Sequence, residues 1–255
     1  MDLENLTGKE HIKLVSRGNK ALLYALKIAK KLGYTKVLIQ DQGGWITYKQ
    51  YPTRLKMDVI ELKTDFGLTD LKDLEKKANE TSVFLLNSMA GYFALENIEE
   101  VYNICMRKKC LLINDATGSI GRDQARKGDI IVGSFGNAKP VNIGKGGFIA
   151  TQNSDFFNQI QILEEEFPEL NKKLEELPKR LEFFDKVRKK IIKDLKGHEI
   201  IHKDKKGINV IIKFINEEEK TDIINYCENN DFEYTLCPRY IRVNCDAISI
   251  EVKRL

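Results

Sequence analysis

The sequence predicts an α/β fold with a three-layer, mostly parallel sheet, followed by a small C-terminal α+β lobe. Short β-branched runs bounded by turn residues alternate with amphipathic helical segments over residues 37–151. That alternation is typical of a parallel sheet with covering helices. The following segment is rich in Lys and Glu, and a mixed strand and helix pattern ends the chain. We therefore expect an α/β large domain over 1–153, a helical connection over 154–196 and an α+β domain over 197–255.

The bulk properties are those of an ordinary globular protein. The 255 residues are 31% charged and 42% hydrophobic, and their net charge of +4 arises from 42 basic and 38 acidic residues spread along the chain. So weak and dispersed a charge argues against nucleic acid as a partner. The sequence has no apolar run of transmembrane length and no signal-peptide core, so we expect a cytoplasmic protein. Five cysteines without a CxxC pair argue against a disulfide framework or a metal site.

The first helix is predicted over residues 17–32, where apolar side chains recur at helical spacing and Gly33 is a natural C-cap. Its entrance contains Gly18 and Asn19, which are small and polar. An entrance of this kind exposes backbone N–H groups at the positive end of the helix dipole, which suits a phosphate group. The alternative is an ordinary N-cap.

Strands and helices alternate through the rest of the large domain. The predicted strands are 37–41, 58–62, 82–86, 111–113 and 130–132, and the predicted helices are one entered through the Gly turn at 42–48, then 69–78 and 95–109. In open α/β sheets, ligands bind just beyond the carboxyl ends of the strands. Asp115 follows one strand and Lys139 lies in the loop after another, so we expect the two side chains to form a cofactor clamp.

The helical connection contains an apolar seam with alternating steps of four and three residues. Its members are Leu163, Phe167, Leu170, Leu174, Leu177, Leu181 and Phe184. Pro168 and Pro178 fit the first turns of separate helical segments. The seam could be a dimer contact, a spine joining two lobes, or a helix hairpin packed on its own domain. In the C-terminal domain we predict strands at 207–214, 232–236 and 240–243 and a helix at 217–229.

Three motifs carry a family resemblance. They are Asp115-Ala-Thr, the run Gly128-Asp-Ile-Ile-Val-Gly-Ser-Phe-Gly-Asn-Ala-Lys139, and Gly144-Lys-Gly-Gly. Together they resemble the core of fold-type I pyridoxal-phosphate enzymes, in particular the sugar-aminotransferase (DegT/DnrJ/EryC1/StrS) and aspartate-aminotransferase-like branches. The resemblance covers roughly residues 16–150. It implies a pyridoxal 5'-phosphate-dependent transferase that acts on a small amino substrate as an aminotransferase and forms a homodimer.

The resemblance also implies roles for individual residues. Asp115 would pair with the pyridine nitrogen, and Lys139 would form the Schiff base and shuttle a proton. The remaining roles are phosphate binding for Gly18, Asn19 and Ser134, ring stacking for Trp45, a bond to the ring hydroxyl for Asn87, and binding of the substrate carboxylate for Arg242 in its Arg-Val-Asn segment.

Several of these residues have a structural alternative. Trp45 is equally expected as a large hydrophobe packed against the sheet, and Asn87 as the centre of an Asx turn. Lys145 is the rival lysine, although a glycine-flanked lysine is more typical of a solvated turn. Gly118 stands where the sugar aminotransferases have a glutamine, which leaves the ring-hydroxyl contact and a sugar substrate open.

Other functions remain in competition with transamination. One is a pyridoxal-phosphate lyase, a desulfurase or a tRNA-linked cysteine or selenocysteine synthase. Cys237 is the one candidate sulfur carrier, although a buried structural thiol is the more expected role for it. Another is a shortened, non-catalytic member of the fold, since the chain is shorter than the enzymes it resembles. A nicotinamide or flavin dehydrogenase is disfavoured, because no GxGxxG sequence joins the first strand to a helix.

Overall fold

The computed structural model describes residues 2–255. Its helices are α1 Leu3–Thr7, α2 Gly18–Lys31, α3 Thr47–Arg54, α4 Leu71–Lys77, α5 Ile98–Arg107, α6 Asp155–Asn158, α7 Leu170–Asp194 and α8 Glu217–Asn229, and 3₁₀ turns span Asp123–Arg126 and Val252–Arg254. Its strands are β1 His11–Val15, β2 Lys36–Gln40, β3 Asp58–Leu62, β4 Thr64–Asp65, β5 Leu68–Thr69, β6 Ser82–Asn87, β7 Met89–Ala90, β8 Ala94–Leu95, β9 Leu111–Asp115, β10 Ile130–Ser134, β11 Gly147–Thr151, β12 Val210–Lys213, β13 Tyr234–Cys237 and β14 Ala247–Ile250.

A seven-stranded sheet forms the centre of the large domain, in the order β1-β11-β10-β9-β6-β2-β3. All neighbours from β10 to β3 pair in parallel. At the other edge, β11 pairs antiparallel with both β10 and β1. The predicted α/β class with a mostly parallel sheet is therefore confirmed, and the antiparallel edge was not foreseen.

The five inner strands of the sheet are buried on both faces, which explains why they are apolar without alternation. Along β6, Val83 and Leu85 pack into the cluster that contains α2 and α3. The intervening Phe84 and Leu86 pack against α4 and α5 on the opposite face. Because successive strand side chains point to opposite faces, one strand supplies both layers of core. The result is three layers, helix, sheet and helix.

Helix α7 runs unbroken for 25 residues, so the predicted break at Pro178 is wrong. Proline in a helix interior costs about 3 kcal/mol. Pro178 itself is exposed, while Leu174, Leu177 and Leu181 on either side of it are buried. Burial of each leucine contributes roughly 1.5–3 kcal/mol, which outweighs the missing hydrogen bond. Leu163 is 62% exposed, so the seam begins at Phe167.

The α7 seam joins the two lobes. Leu174 and Leu181 belong to one cluster with Ile120 of the large domain and with Val210 and Ile248 of the C-terminal sheet. Of the three arrangements that the seam allows, this is the spine between lobes.

The C-terminal lobe is a three-stranded antiparallel sheet in the order β12-β14-β13, with α8 packed on it. The strand predicted at 240–243 is absent. Instead the Arg239 N–H bonds the Val243 carbonyl at 2.7 Å and the Arg242 N–H bonds the Arg239 carbonyl at 2.8 Å. These local hydrogen bonds close a turn in place of the predicted strand. The central strand of the three-stranded sheet is β14. Within residues 2–255 no helix has the length and apolar character needed to cross a membrane.

Candidate active site

A cavity of about 330 Å³ lies beyond the carboxyl ends of β9 and β10. All eight residues singled out from the sequence contribute to its wall: Gly18, Asn19, Trp45, Asn87, Asp115, Ser134, Lys139 and Arg242. They come from positions up to 224 residues apart, between Gly18 and Arg242. The parallel sheet explains the convergence, because strand ends of the same polarity meet at one edge.

Asp115 is held at the end of β9 by three donors. Its Oδ1 accepts from the Thr117 N–H at 3.0 Å and the Thr117 hydroxyl at 2.6 Å, and its Oδ2 accepts from the Tyr48 hydroxyl at 2.7 Å. Tyr48 is fully buried; burial and the adjacent carboxylate raise its pKa well above the usual value, so it remains a donor. The carboxylate therefore has a fixed orientation and still faces the cavity.

The N-terminus of α2 and the end of β10 meet in a tight contact at one end of the cavity. A Cβ added to Gly18 would lie 2.4 Å from the Ser134 Cβ, so only glycine fits there. The N-cap residue Arg17 makes no side-chain capping bond, which leaves the first amides of α2 directed outward. The Ser134 N–H donates to the Thr117 hydroxyl at 3.0 Å, which ties this end to the Asp115 turn. The arrangement combines helix amides with a hydroxyl and suits a phosphate.

Lys139 reaches the cavity from the loop between β10 and β11. Its Nζ donates to the Tyr92 hydroxyl at 2.8 Å and lies 5.4 Å from the centroid of the Trp45 ring. The rival lysine is placed differently. The Lys145 side chain is 62% exposed, and its Nζ lies 3.7 Å from a Glu169 carboxylate oxygen. Lys139 is thus the amine held between aromatic rings, and Lys145 is a solvated lysine.

Trp45 is a wall of the cavity and not a core residue. It is 37% exposed, and its Nε1 donates to Asn19 Oδ1 at 3.1 Å. The expectation of a hydrophobe packed against the sheet is therefore wrong, and the indole face remains available for a flat ring.

Two sequence-based roles are not supported by the contacts. The Asn87 side chain donates to the Gly43 carbonyl at 2.7 Å and accepts from the Met89 N–H at 3.3 Å, which is the Asx-turn alternative. The role of Arg242 as a carboxylate clamp needs the same correction. Its Nε and Nη2 donate to the Glu251 carboxylate at 2.8 and 2.6 Å, so its bidentate edge is already occupied.

Tyr92, Tyr48 and Thr117 are site residues that the sequence reasoning missed. Thr117 had a local signal, since an Asp-x-Thr sequence forms a turn of this kind. Tyr92 had none, because it reaches the site only through a left-handed backbone conformation at φ +69°. Gly118 is closely packed: an added Cβ would lie 3.1 Å from the Met89 Cβ and 3.2 Å from the Tyr92 ring, so a larger side chain requires these neighbours to shift.

Cys237 lies outside this site. Its side chain is 7% exposed, and burial raises the pKa of its thiol. A buried thiol that resists ionisation is a structural residue and a poor nucleophile, so the proposed sulfur carrier loses its support.

Comparison with solved structures shows the same fold in enzymes of low sequence identity. Helicobacter pylori PseC, an aminotransferase of pseudoaminic acid biosynthesis, matches with a TM-score of 0.75 at 15% identity, over 98% of this chain and 83% of that one. The E. coli GDP-4-keto-6-deoxy-D-mannose-3-dehydratase with bound hydrated PLP matches with a TM-score of 0.76 at 11% identity, over 99% and 86% of the two chains.

One curated relative is similar in sequence. It is a Methanosphaera stadtmanae protein named 5-formaminoimidazole-4-carboxamide-1-(beta)-D-ribofuranosyl 5'-monophosphate synthetase, 23% identical in an alignment of 182 residues that covers 65% of this chain. The chain spans about half of that relative's length, 49%.

Family models divide the chain near the start of α7. Residues 175–255 match the MJ1341 family C-terminal domain. Residues 1–173, which supply every cavity residue except Arg242, match the DegT/DnrJ/EryC1/StrS aminotransferase family. The family match covers more than half of the sequence, and the fold is that of the pyridoxal-phosphate-dependent transferases. The chain therefore belongs to the DegT/DnrJ/EryC1/StrS aminotransferase family of pyridoxal-phosphate enzymes.

Proposed function

We propose that this protein is a pyridoxal-phosphate-dependent aminotransferase of a small amino compound, in which Lys139 carries the cofactor. The observation that carries the proposal is the placement of the Lys139 amine and the Asp115 carboxylate in one cavity, which Gly18 at the N-terminus of α2 and Ser134 at the end of β10 also line. The cofactor, when bound, supplies an electron sink for the carbon next to the substrate nitrogen.

The residues present fit this cofactor. The close approach of Gly18 to Ser134 leaves helix amides and a hydroxyl for the phosphate. Asp115, already oriented by Tyr48 and Thr117, supplies a negative charge that raises the pKa of a pyridine nitrogen beside it. Trp45 supplies the aromatic face.

Lys139 Nζ is the group that moves the proton. It has a hydrogen-bond acceptor in the Tyr92 hydroxyl and stands between two aromatic rings, which restrict its motion. An amine held this way can take a proton from the substrate carbon and return it elsewhere. Tyr92 positions the amine for that transfer.

Homodimer formation is part of the proposal. Trp45 at the cavity and its neighbour Ile46 are 37% and 51% exposed, so large apolar side chains lie open beside the site. Exposed apolar side chains of this size are enriched at protein interfaces. Multi-angle light scattering should give twice the 29.3 kDa chain mass.

The cofactor assignment is tested by adding pyridoxal phosphate, reducing with borohydride and locating the adduct by peptide mass spectrometry. We expect the added mass on Lys139 and its loss in Lys139→Ala. Lys145→Ala is the matched control, because it removes the other lysine of the same loop. An adduct on Lys145, or none on Lys139, would overturn the assignment.

Transamination is then separated from elimination with a panel of amino acids. Conversion of the bound cofactor to its amine form, together with an oxo acid product, supports the aminotransferase. Release of sulfide or of another β-elimination product without that conversion supports a lyase. Lack of both, with the adduct still formed on Lys139, indicates a non-catalytic protein that retains the cofactor.

A further inference from the structure

The C-terminal turn brings a second lysine to the mouth of the active cavity. The 3₁₀ turn Val252–Arg254 follows β14 directly, and Lys253 lies in a second cavity of about 530 Å³. That cavity shares Trp45, Tyr92, Lys139 and Arg242 with the first one. The Lys253 Nζ lies 5.2 Å from the centroid of the Tyr92 ring, and the Lys139 Nζ lies 4.9 Å from the same centroid.

Buried positive charge is in excess at this wall. Arg242, Glu251 and Lys253 are 4%, 2% and 6% exposed. The single carboxylate accepts two hydrogen bonds from Arg242, at 2.8 and 2.6 Å, whereas the Lys253 Nζ approaches it only to 3.5 Å. Two cations thus share one anion, and the arginine takes the better geometry.

The Lys253 ammonium has no closer partner within residues 2–255. The neighbouring Arg254 does not compete for the same anion, because it pairs with Glu233. Charged groups facing Lys253 are Glu251, Arg242, Lys139 and Arg254, so three of the four repel it. A buried cation with an incomplete set of acceptors is costly unless a ligand completes it.

The pKa of Lys253 reflects this imbalance. Burial lowers it to about 8; the attraction of Glu251 opposes that shift, and the positive charges of Arg242, Lys139 and Arg254 add to it. A strongly perturbed group in a cleft is a mark of a functional site when geometry supports it. Here the geometry is a wall cation beside the amine that carries the cofactor.

We infer that Lys253 recognises an anionic group of the substrate, a carboxylate or a phosphate monoester, at the mouth of the cavity. This inference rests on the proposed function, since it places that anion next to Lys139. Arg242 has the supporting role: its bidentate pair with Glu251 fixes the carboxylate and leaves Lys253 as the wall cation that is not neutralised. The C-terminal lobe therefore selects substrates that carry a negative charge.

The test is an anion titration by calorimetry on the protein without added cofactor, in two arms. One arm uses succinate and the other ribose 5-phosphate. We expect the dissociation constant in one arm to rise at least tenfold in Lys253→Met and to be preserved in Lys253→Arg. If Lys253→Met raises the dissociation constant of succinate alone, the recognised group is a carboxylate. If it raises that of ribose 5-phosphate alone, the group is a phosphate monoester.

Two controls make the result specific. Lys213→Met removes another lysine of the C-terminal lobe that pairs with a glutamate, Glu199, and should leave both arms unchanged. Ser134→Ala weakens the phosphate cradle. If binding falls in Ser134→Ala but not in Lys253→Met, the anion occupies the cradle and the inference is overturned. Unchanged binding of both anions in Lys253→Met overturns it as well.

The anion titration and the borohydride experiment have independent outcomes, so each can refute its own proposal. Loss of the borohydride adduct on Lys139 refutes the proposed function without altering the anion titration. Loss of the Lys253 effect refutes the anion site while the adduct persists. Circular dichroism tests whether Lys253→Met is folded. We expect a folded variant, because the substitution removes a poorly compensated buried cation.

Discussion

The two walls of the active cavity differ in how their charges are compensated. On the cofactor wall, formed by Gly18, Asp115 and Ser134, the carboxylate accepts three hydrogen bonds, two from Thr117 after β9 and one from Tyr48 of α3. On the C-terminal wall, formed by Arg242, Glu251 and Lys253, two buried cations share one carboxylate. The hydrogen bonds on the first wall orient the Asp115 carboxylate for the cofactor, whereas the excess positive charge of the second wall is available to an anionic substrate. The first wall therefore holds the cofactor, while the second can discriminate between substrates.

The largest effect is expected on loss of the Lys139 amine, and it should separate catalysis from recognition of the substrate anion. Lys139→Ala should lower turnover about a thousandfold or more, because the reacting amine has no substitute. Lys253→Met should retain the adduct on Lys139 and change only the affinity for the substrate anion. Steady-state kinetics with both variants measures the difference. Equal loss of turnover in the two variants would contradict the division of the cavity into two walls.

The next effect concerns stability of the C-terminal wall. Glu251→Gln should lower the free energy of unfolding by about 3–5 kcal/mol, because it leaves two buried cations without an anion. Urea denaturation measures it. Glu199→Gln is the control, since its pair with Lys213 lies at the surface and solvent-exposed ion pairs contribute little to stability. Similar losses of unfolding free energy in the two variants would show that Glu251 does not stabilise the buried cations Arg242 and Lys253.

The pH dependence of stability should carry the signature of Lys253. Its pKa is about 8 in the folded protein against 10.5 for an ordinary lysine. Between these values the unfolded chain binds more protons, so the free energy of unfolding rises with pH. Below pH 8 both states are charged and the folded protein bears the full cost of the buried cation. The difference between wild type and Lys253→Met should therefore change by up to about 3 kcal/mol from pH 8 to 10.5. A constant difference across that range would contradict the shifted pKa.

The smallest effect is expected at the cofactor wall, from a change at Gly18. Gly18→Ala places a Cβ 2.4 Å from the Ser134 Cβ, so the cradle must open. Overpacking of this kind costs about 1–3 kcal/mol, which corresponds to a roughly ten- to hundredfold higher dissociation constant for pyridoxal phosphate. Fluorescence of Trp45 on cofactor titration measures it. Gly197→Ala is the matched control, because nothing lies within 4 Å of its added Cβ.

Features that depend on a short stretch of chain were predictable. The apolar runs of β9 and β10, the amphipathic pattern of α2, and the positions of Asp115 and Lys139 after strand ends follow from local periodicity and turn chemistry. Parallel pairing then brings strand ends together without further information. The cofactor wall was therefore visible in the sequence, although Tyr48 and Tyr92 were not.

Features that depend on contacts between separate segments of the chain were less predictable. Pro178 was expected to break a helix, yet the buried leucines around it keep α7 continuous. Arg242 was expected to bind a substrate carboxylate, but β14 brings Glu251 to it. Asn87 was expected at the cofactor, but the Gly43 carbonyl takes its amide. These contacts, across nine residues for Arg242 and 44 residues for Asn87, are made in the folded chain and were not evident from the local pattern.

The amino-acid sequence by itself determined the α/β framework, the helix amides and strand ends of the cofactor wall, and the lysine and aspartate that line the same cavity. These follow from periodicity and backbone chemistry, which act over a few residues. Only the tertiary structure decided which cations remain without an anion, since that depends on where the turn after β14 sets Lys253 relative to Arg242 and Glu251. Charge compensation in a buried site is a property of three-dimensional distance, and spacing along the chain does not contain it.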